Sequence, residues 1–150
     1  MKAVVQRVAR AEVRSEGKTT GSIGRGAVVL LGVGRTDGEA DADKLADKVS
    51  RLRIFDDADG RMNLPMAAVA GGKYLVASQF TLHGDARKGN RPSYVGAAPP
   101  ERAEPLYERF VERLRAGGFE VETGVFRTEM QLELVNDGPV TLVLDTEEWK

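Results

Sequence analysis

The chain has 150 residues, 41% of them hydrophobic and 30% charged, the balance of a folded soluble protein long enough to bury one substantial core. With no cysteine and a single histidine, His83, it excludes a disulfide framework and a thiol nucleophile and argues against a His/Cys zinc site. A formal charge of −1 excludes whole-molecule attraction to nucleic acid, so any such contact needs a local basic patch.

The N-terminal MKAVVQRV mixes β-branched residues with alternation and reads as a strand. MKAVVQRVAR is too charged and too short in apolar residues for a secretory signal. No apolar run approaches the roughly 20 residues of a bilayer span. A protein without membrane contact is therefore expected, and the absence of cysteine makes a reducing cytoplasm the default compartment. EGKTTGSIGRG reads as a hairpin turn, and AVVLLGV (27–33) as a strand buried on both faces. GVGRTDG follows a strand and precedes a helix, but the third glycine of a dinucleotide fingerprint would fall at Asp37, and no P-loop lysine follows. It reads as an ordinary strand-to-helix turn.

In TDGEADADKLADKVSRLRIF, Thr36 with Glu39 has capping-box spacing, and Ala42, Leu45, Ala46, Val49 and Leu52 make one apolar helical stripe. The acidic FDDADG lacks the ligand spacing of a calcium loop, and DDADGRMN reads as a second hairpin turn. No metal or other cofactor is expected. KYLVASQFTL reads as a strand running through Leu82.

PPERAEPLYERFVERLRAGG carries a second apolar stripe, Leu106, Phe110 and Leu114, and stops at Gly117. Pro105 costs no hydrogen bond only within the first four helical positions, so the helix is expected to start near Arg102. MQLELV and VTLVLD then flank NDGP. Asp-Gly between apolar runs is a strong hairpin signal, although Pro139 has no N–H for a returning strand. The expected class is one α/β (α+β) domain over residues 1–150. A curved, barrel-like mixed sheet would carry two helices packed on one side.

Two segments bear on chemistry. SQFTLHGD places Ser78, Gln79, Thr81, His83 and Asp85 at a strand end. On an extended strand Gln79, Thr81 and His83 share a face, but neighbours two apart stand roughly 6.5–7 Å from one another. A hydroxyl–imidazole bond needs about 2.6–3.2 Å, so a triad here would require a sharp turn after Thr81. GDARKGNRPSY gathers Arg87, Lys88 and Arg91 beside Tyr94. That is a solvated loop, or a surface offering phosphate neutralisation and stacking to a single-stranded RNA end.

MKAVVQRV, LRIFDDADGRMN, SQFTLHGDARKGNRPS and VNDGPVT together, in this order and across essentially the whole chain, resemble the D-aminoacyl-tRNA deacylases. Tyr94 stands where that family is expected to have phenylalanine. The resemblance implies a homodimer that hydrolyses the ester between a D-amino acid and the terminal adenosine of tRNA. It implies no action on DNA. A cis Gly138-Pro139 peptide from one subunit would reach into the other's pocket, present its carbonyls to the α-ammonium group and leave no room for an L side chain. Arg7 would hold that loop across the interface. Ser78, Gln79, Phe80 and Thr81 would form the catalytic pocket, with backbone N–H groups facing the ester. Arg87, Lys88, Arg91 and Tyr94 would meet the tRNA. A filter that works by excluding L side chains should pass glycine, so glycyl-tRNA, including glycine mischarged on tRNA-Ala, is an implied second substrate. No general base is evident, which fits assistance by the RNA's own 2′-OH. Thr81 as a nucleophile is the competing mechanism. A generic Ser/Thr hydrolase of small esters and a tRNA-binding module without chemistry are the rival functions.

Overall fold

A computed structural model describes all residues, Met1–Lys150. The strand β1 (Lys2–Ser15) organises it, because it pairs along both of its edges. One edge takes β3 (Gly26–Gly32) beside residues 2–8 and β2 (Lys18–Ile23) beside residues 11–15. The other edge takes β8 (Met130–Asp145) for nearly its whole length. The sheet continues from β3 through β6 (Lys73–Ser78) to β7 (Val121–Thr123), both in parallel pairings. β2 comes to lie against β7, so the curved sheet almost closes into a barrel.

Between the strands lie helix α1 (Glu39–Arg51), a small hairpin of β4 (Arg53–Asp56) and β5 (Met62–Pro65), and helix α2 (Pro100–Ala116). The result is one α+β domain with both helices on one side, as the hydrophobic pattern indicates. α1 and α2 pack on Ala3, Val5, Ala27, Val29 and Leu31. Val8, Ala11, Val13, Ile23, Val28 and Leu75 form a second core on the other face. Each fully buried Val, Leu or Phe of these layers contributes roughly 1.5–3 kcal/mol.

The two cores explain a switch within β1. Ala3 and Val5 face the helices, yet Ala11 and Val13, of the same parity, face the second core. Ala9 is unpaired between the Val8–Asn136 and Arg10–Val135 partners. One extra residue exchanges the faces of everything beyond it.

EGKTTGSIGRG holds more than a turn, since Lys18–Ile23 is the strand β2, and four further expectations are corrected. The cap of α1 is Gly38, with Asp41 reaching back to its N–H at 2.9 Å, rather than Thr36 with Glu39. Asp37 turns inward, where its buried carboxylate accepts from the Met1 ammonium at 2.6 Å and from the Gly34 N–H, and this delays the helix start. α2 begins at Pro100, not near Arg102, because Pro99 and Pro100 enter with φ already set and Pro105 lies on the exposed face. The carbonyl that Pro105 leaves without an N–H partner belongs to Glu101, an exposed residue. β6 stops at Ser78 rather than at Leu82.

The fourth correction is the largest. MQLELV and VTLVLD do not form a hairpin: both run antiparallel to β1 as halves of one strand. Between the pairs Gln6–Thr141 and Val8–Asn136, residues 137–140 stand opposite the single residue Arg7. NDGP is thus an outward bulge in a continuous strand.

Candidate active site

The end of β6 and the turn after it form one polar station. Ser78 lies beside Leu31, and the Gln79 N–H still donates to the Leu31 carbonyl at 2.8 Å. The chain then folds into a single 3-10 turn, Phe80–His83. This turn brings the Gln79 amide onto the Thr81 hydroxyl, a pair that an extended strand would keep apart. The first N–H groups of a helical turn, here those of Phe80 and Thr81, have no partner within it. The His83 imidazole goes elsewhere, filling the space that side chains at Gly32 and Gly34 would need; its Nε2 is buried without a partner. No hydroxyl–imidazole pair and no triad result.

Ser78, Gln79 and Phe80 line one side of a cavity of about 680 Å³. Its walls are mostly apolar, from Leu30, Leu31 and Ala77 of the sheet, Ala103 and Tyr107 of α2, and Phe126, Met130 and Leu132. Tyr107 and Phe126 face each other with ring centroids 5.7 Å apart. Burial pushes the Tyr107 phenol up to about 12, so it stays neutral and donates to the Val76 carbonyl at 2.9 Å. At the mouth Phe80 is 57% exposed and meets Tyr94 edge-on at 5.2 Å. Thr81 is exposed but does not line the cavity.

The basic segment is an excursion between Asp85 and Ser93, which exchange two backbone hydrogen bonds of 2.8 and 2.9 Å. Arg87 folds back on Asp85, its Nη2 2.6 Å from the carboxylate, and this pairing lowers the Asp85 pKa to about 2. Arg87 is therefore partly neutralised, while Lys88 and Arg91 stay exposed.

The bulge is the second polar station, and it is tightly knit. Arg7, with only 9% of its side chain exposed, donates from Nη1 to the Ile54 carbonyl at 2.7 Å and from Nε to the Asp137 carbonyl at 3.2 Å. The Asp56 and Asp137 carboxylates stand 3.4 and 3.5 Å away. Asn136 closes the neck: its amide donates to the carbonyls of Arg7 and Val140, both at 3.0 Å, and accepts from Thr141. Val140 is buried as an anchor, which leaves Gly138 and Pro139 exposed at the tip. Gly138 has φ +115°, and a Cβ there would lie 2.8 Å from Arg7 Nη2. The Gly138–Pro139 peptide bond is cis.

The two stations do not meet within one chain. Arg7 pairs with Ala27 at the start of β3, whereas Ser78 lies beside Leu31 near its end. That is about 13 Å along the strands, and three strand spacings, about 14 Å, separate β8 from β6 across the sheet. Gly138 and Pro139 do not line the cavity. Arg7 holds the loop of its own chain, so this hold needs no second subunit. Tyr107, Phe126 and Arg127 escape a reading of the sequence: the aromatics look like ordinary core residues, and Arg127 lies in no recognisable motif.

The chain matches the family model of D-Tyr-tRNA(Tyr) deacylase over residues 4–145. It is 64% identical to a D-aminoacyl-tRNA deacylase of Anaeromyxobacter dehalogenans, with 97% of each chain covered. It is 60% identical to one of Symbiobacterium thermophilum, covering 98% of this chain and 97% of that one. Among solved structures, the c-Myc DNA Unwinding Element Binding Protein superposes with a TM-score of 0.89 at 39% identity, covering 97% of this chain and 98% of that one.

Proposed function

The chain belongs to the D-aminoacyl-tRNA deacylases, hydrolases of the ester between amino acid and tRNA, and from that premise we propose how its two stations share the work. The cavity takes the 3′-terminal aminoacyl-adenosine, and Gly138-Pro139 of a second copy closes it over the amino acid. The observation that carries this reading is the separation of the stations. A loop braced by Arg7 and Asn136, exposed at its tip and outside its own cavity, is built to enter another one.

The outer edge of β8 supports the second copy. It has no strand partner in this chain and exposes Val135 and Val143, the latter at 73%. An unpaired edge with apolar side chains is a template for association.

Swapping hand at Cα exchanges a hydrogen for a side chain, so a stiff main-chain wall rejects L by overlap. The carbonyls of Gly138 and Pro139 accept from the α-ammonium group. Glycine, with no side chain, passes the filter, which makes glycyl-tRNA, including glycine mischarged on tRNA-Ala, a second substrate. Backbone N–H groups of Phe80 and Thr81 face the ester, and removing one oxyanion donor of this kind costs about 3–4 kcal/mol in known enzymes. The RNA's 2′-OH assists the attack of water. The Gln79–Thr81 pair, without a base behind it, gives Thr81 no means of activation as a nucleophile. Lys88, Arg91 and the Phe80–Tyr94 pair receive the RNA strand near the mouth, with Arg87 freed from Asp85 on contact. The setting is cytoplasmic; no helix is long and apolar enough to cross a membrane.

The test is loss of ester from D- and L-tyrosyl-tRNA, with EDTA present in a parallel reaction. Loss of the D ester alone, insensitive to EDTA, is expected. Equal loss of both, or hydrolysis of simple small esters, would favour the generic hydrolase; binding without ester loss would favour the module.

A further inference from the structure

The turn between β7 and β8 holds an arginine in an unusual backbone conformation. Arg127 has φ +64°, the left-handed region that L side chains rarely adopt. The turn around it is pinned. Ser15 Oγ donates to Thr128 Oγ1 at 2.8 Å, and Thr128 Oγ1 donates to the Val125 carbonyl at 2.9 Å. Phe126, one residue earlier, is anchored against Tyr107 in the cavity wall. The backbone is thereby fixed in a conformation that glycine would adopt freely, yet the position carries a long cation.

Arg127 is exposed and lines the rim of the cavity. Among the lining residues only Arg127 and Glu129 are charged, and Arg127 is the sole cation. Its guanidinium forms no ion pair with any carboxylate of the chain, Glu129 included. The chemistry of an aminoacyl-RNA end narrows what such a cation can meet. The amino acid's carboxyl is tied up in the ester, and its α-ammonium is positive, so neither attracts a guanidinium. The nearest anion is the phosphodiester on the 5′ side of the terminal nucleoside, which must leave a mostly apolar cavity at its rim. A guanidinium suits it, with paired N–H donors matched to phosphate oxygens.

We propose that Arg127 is a positioning residue that grips this last phosphodiester, making the enzyme select a polynucleotide end over a free aminoacyl nucleoside. The proposal rests on the reading that the terminal aminoacyl-adenosine occupies this cavity. Arg127 acts on binding and register, not on bond breaking.

Two variants and two substrates test it. Arg127→Gly removes the cation while suiting the left-handed backbone, and Arg127→Lys keeps the charge. Each is assayed on D-tyrosyl-tRNA and on 3′-O-D-tyrosyl-adenosine, which has no phosphate, over a range of salt. For Arg127→Gly the KM for the tRNA should rise about tenfold at low salt with kcat unchanged, the size of one charge-assisted contact. The slope of log KM against log salt should fall by about 0.7, the value for one phosphate of a single strand. The adenosine ester should be handled as by wild type, and Arg127→Lys should recover most of the salt slope. Equal loss on both substrates, or an unchanged slope, would overturn the proposal while the cavity reading stands. Wild-type protein inert on both esters would overturn the cavity reading and the proposal together.

Discussion

The bulge at 137–140 and the turn at 80–83 are both short irregular segments next to β1 or β3, but they are built on opposite plans. Every polar group at the neck of the bulge has a partner: Arg7 takes Ile54 and Asp137, and Asn136 takes Arg7, Val140 and Thr141. The turn leaves its leading N–H groups without a partner inside it and its Phe80 ring 57% exposed, with Gln79–Thr81 as its one side-chain hydrogen bond. These plans suit the proposed roles: rejection of a substrate by shape needs rigidity. A segment that must meet a substrate needs free donors and an open face.

The contrast can be broken most severely at Arg7. Arg7→Ala removes a nearly buried guanidinium and leaves the Ile54 and Asp137 carbonyls without their donor, so urea unfolding should show a loss of about 3 kcal/mol. The half-exposed Asp56 and Asp137 carboxylates add little, because solvent screens them. Gly138→Ala comes next. A Cβ at φ +115° pressing on Arg7 should cost about 2 kcal/mol, and D-tyrosyl-tRNA hydrolysis should fall more than the stability does. Asn136→Ala, which loosens the neck alone, should cost about 1–2 kcal/mol in the same unfolding measurement.

At the turn the effects should be small. Thr81→Ala should change stability by no more than about 0.5 kcal/mol, since the side chain is exposed. Its single-turnover rate should stay near wild type, while a 2′-deoxy terminal adenosine should block the reaction; the reverse pair of results would make Thr81 the nucleophile. The smallest effect concerns Asp85. Its pKa is lowered to about 2 by Arg87, so the ion pair is complete above pH 4 and is lost as pH falls through 2. Carbon-detected NMR should give a midpoint near 2, and Arg87→Ala should return it toward the ordinary aspartate value.

Much of this frame is legible in the sequence, because periodicity reports burial. The stripe Ala42, Leu45, Ala46 and Val49 falls where helical spacing puts it, with Leu52 just past the helix as its C-cap, and of the run 27–33 all but Val33 lies in β3. What pattern misses are places where tertiary contacts outweigh local preference. Asp-Gly between apolar runs means a hairpin only if the second run returns beside the first. Here Arg7 and Asn136 hold the excursion against β1, and the strand resumes its course. Likewise Gln79–Leu82 continue the alternation of β6, but beyond Leu31 the neighbouring β3 offers only one more residue to pair with, so the chain turns. The motif residues 78–81 and 138–139 can be found by reading along the chain. Their separation of several strands cannot, and Arg127 carries no sequence signal beyond being a cation after an aromatic residue.

Completion of one copy's cavity by the loop of another can be tested by complementation. Gly138→Ala spoils the loop and leaves its own cavity intact; Ala97→Trp fills the cavity and leaves its own loop intact. Each should be nearly inactive alone on D-tyrosyl-tRNA. Co-expressed in one cell and purified as a mixed dimer, they should regain activity, because the sound cavity of one chain receives the sound loop of the other. Two variants that remain as inactive together as apart would contradict the account.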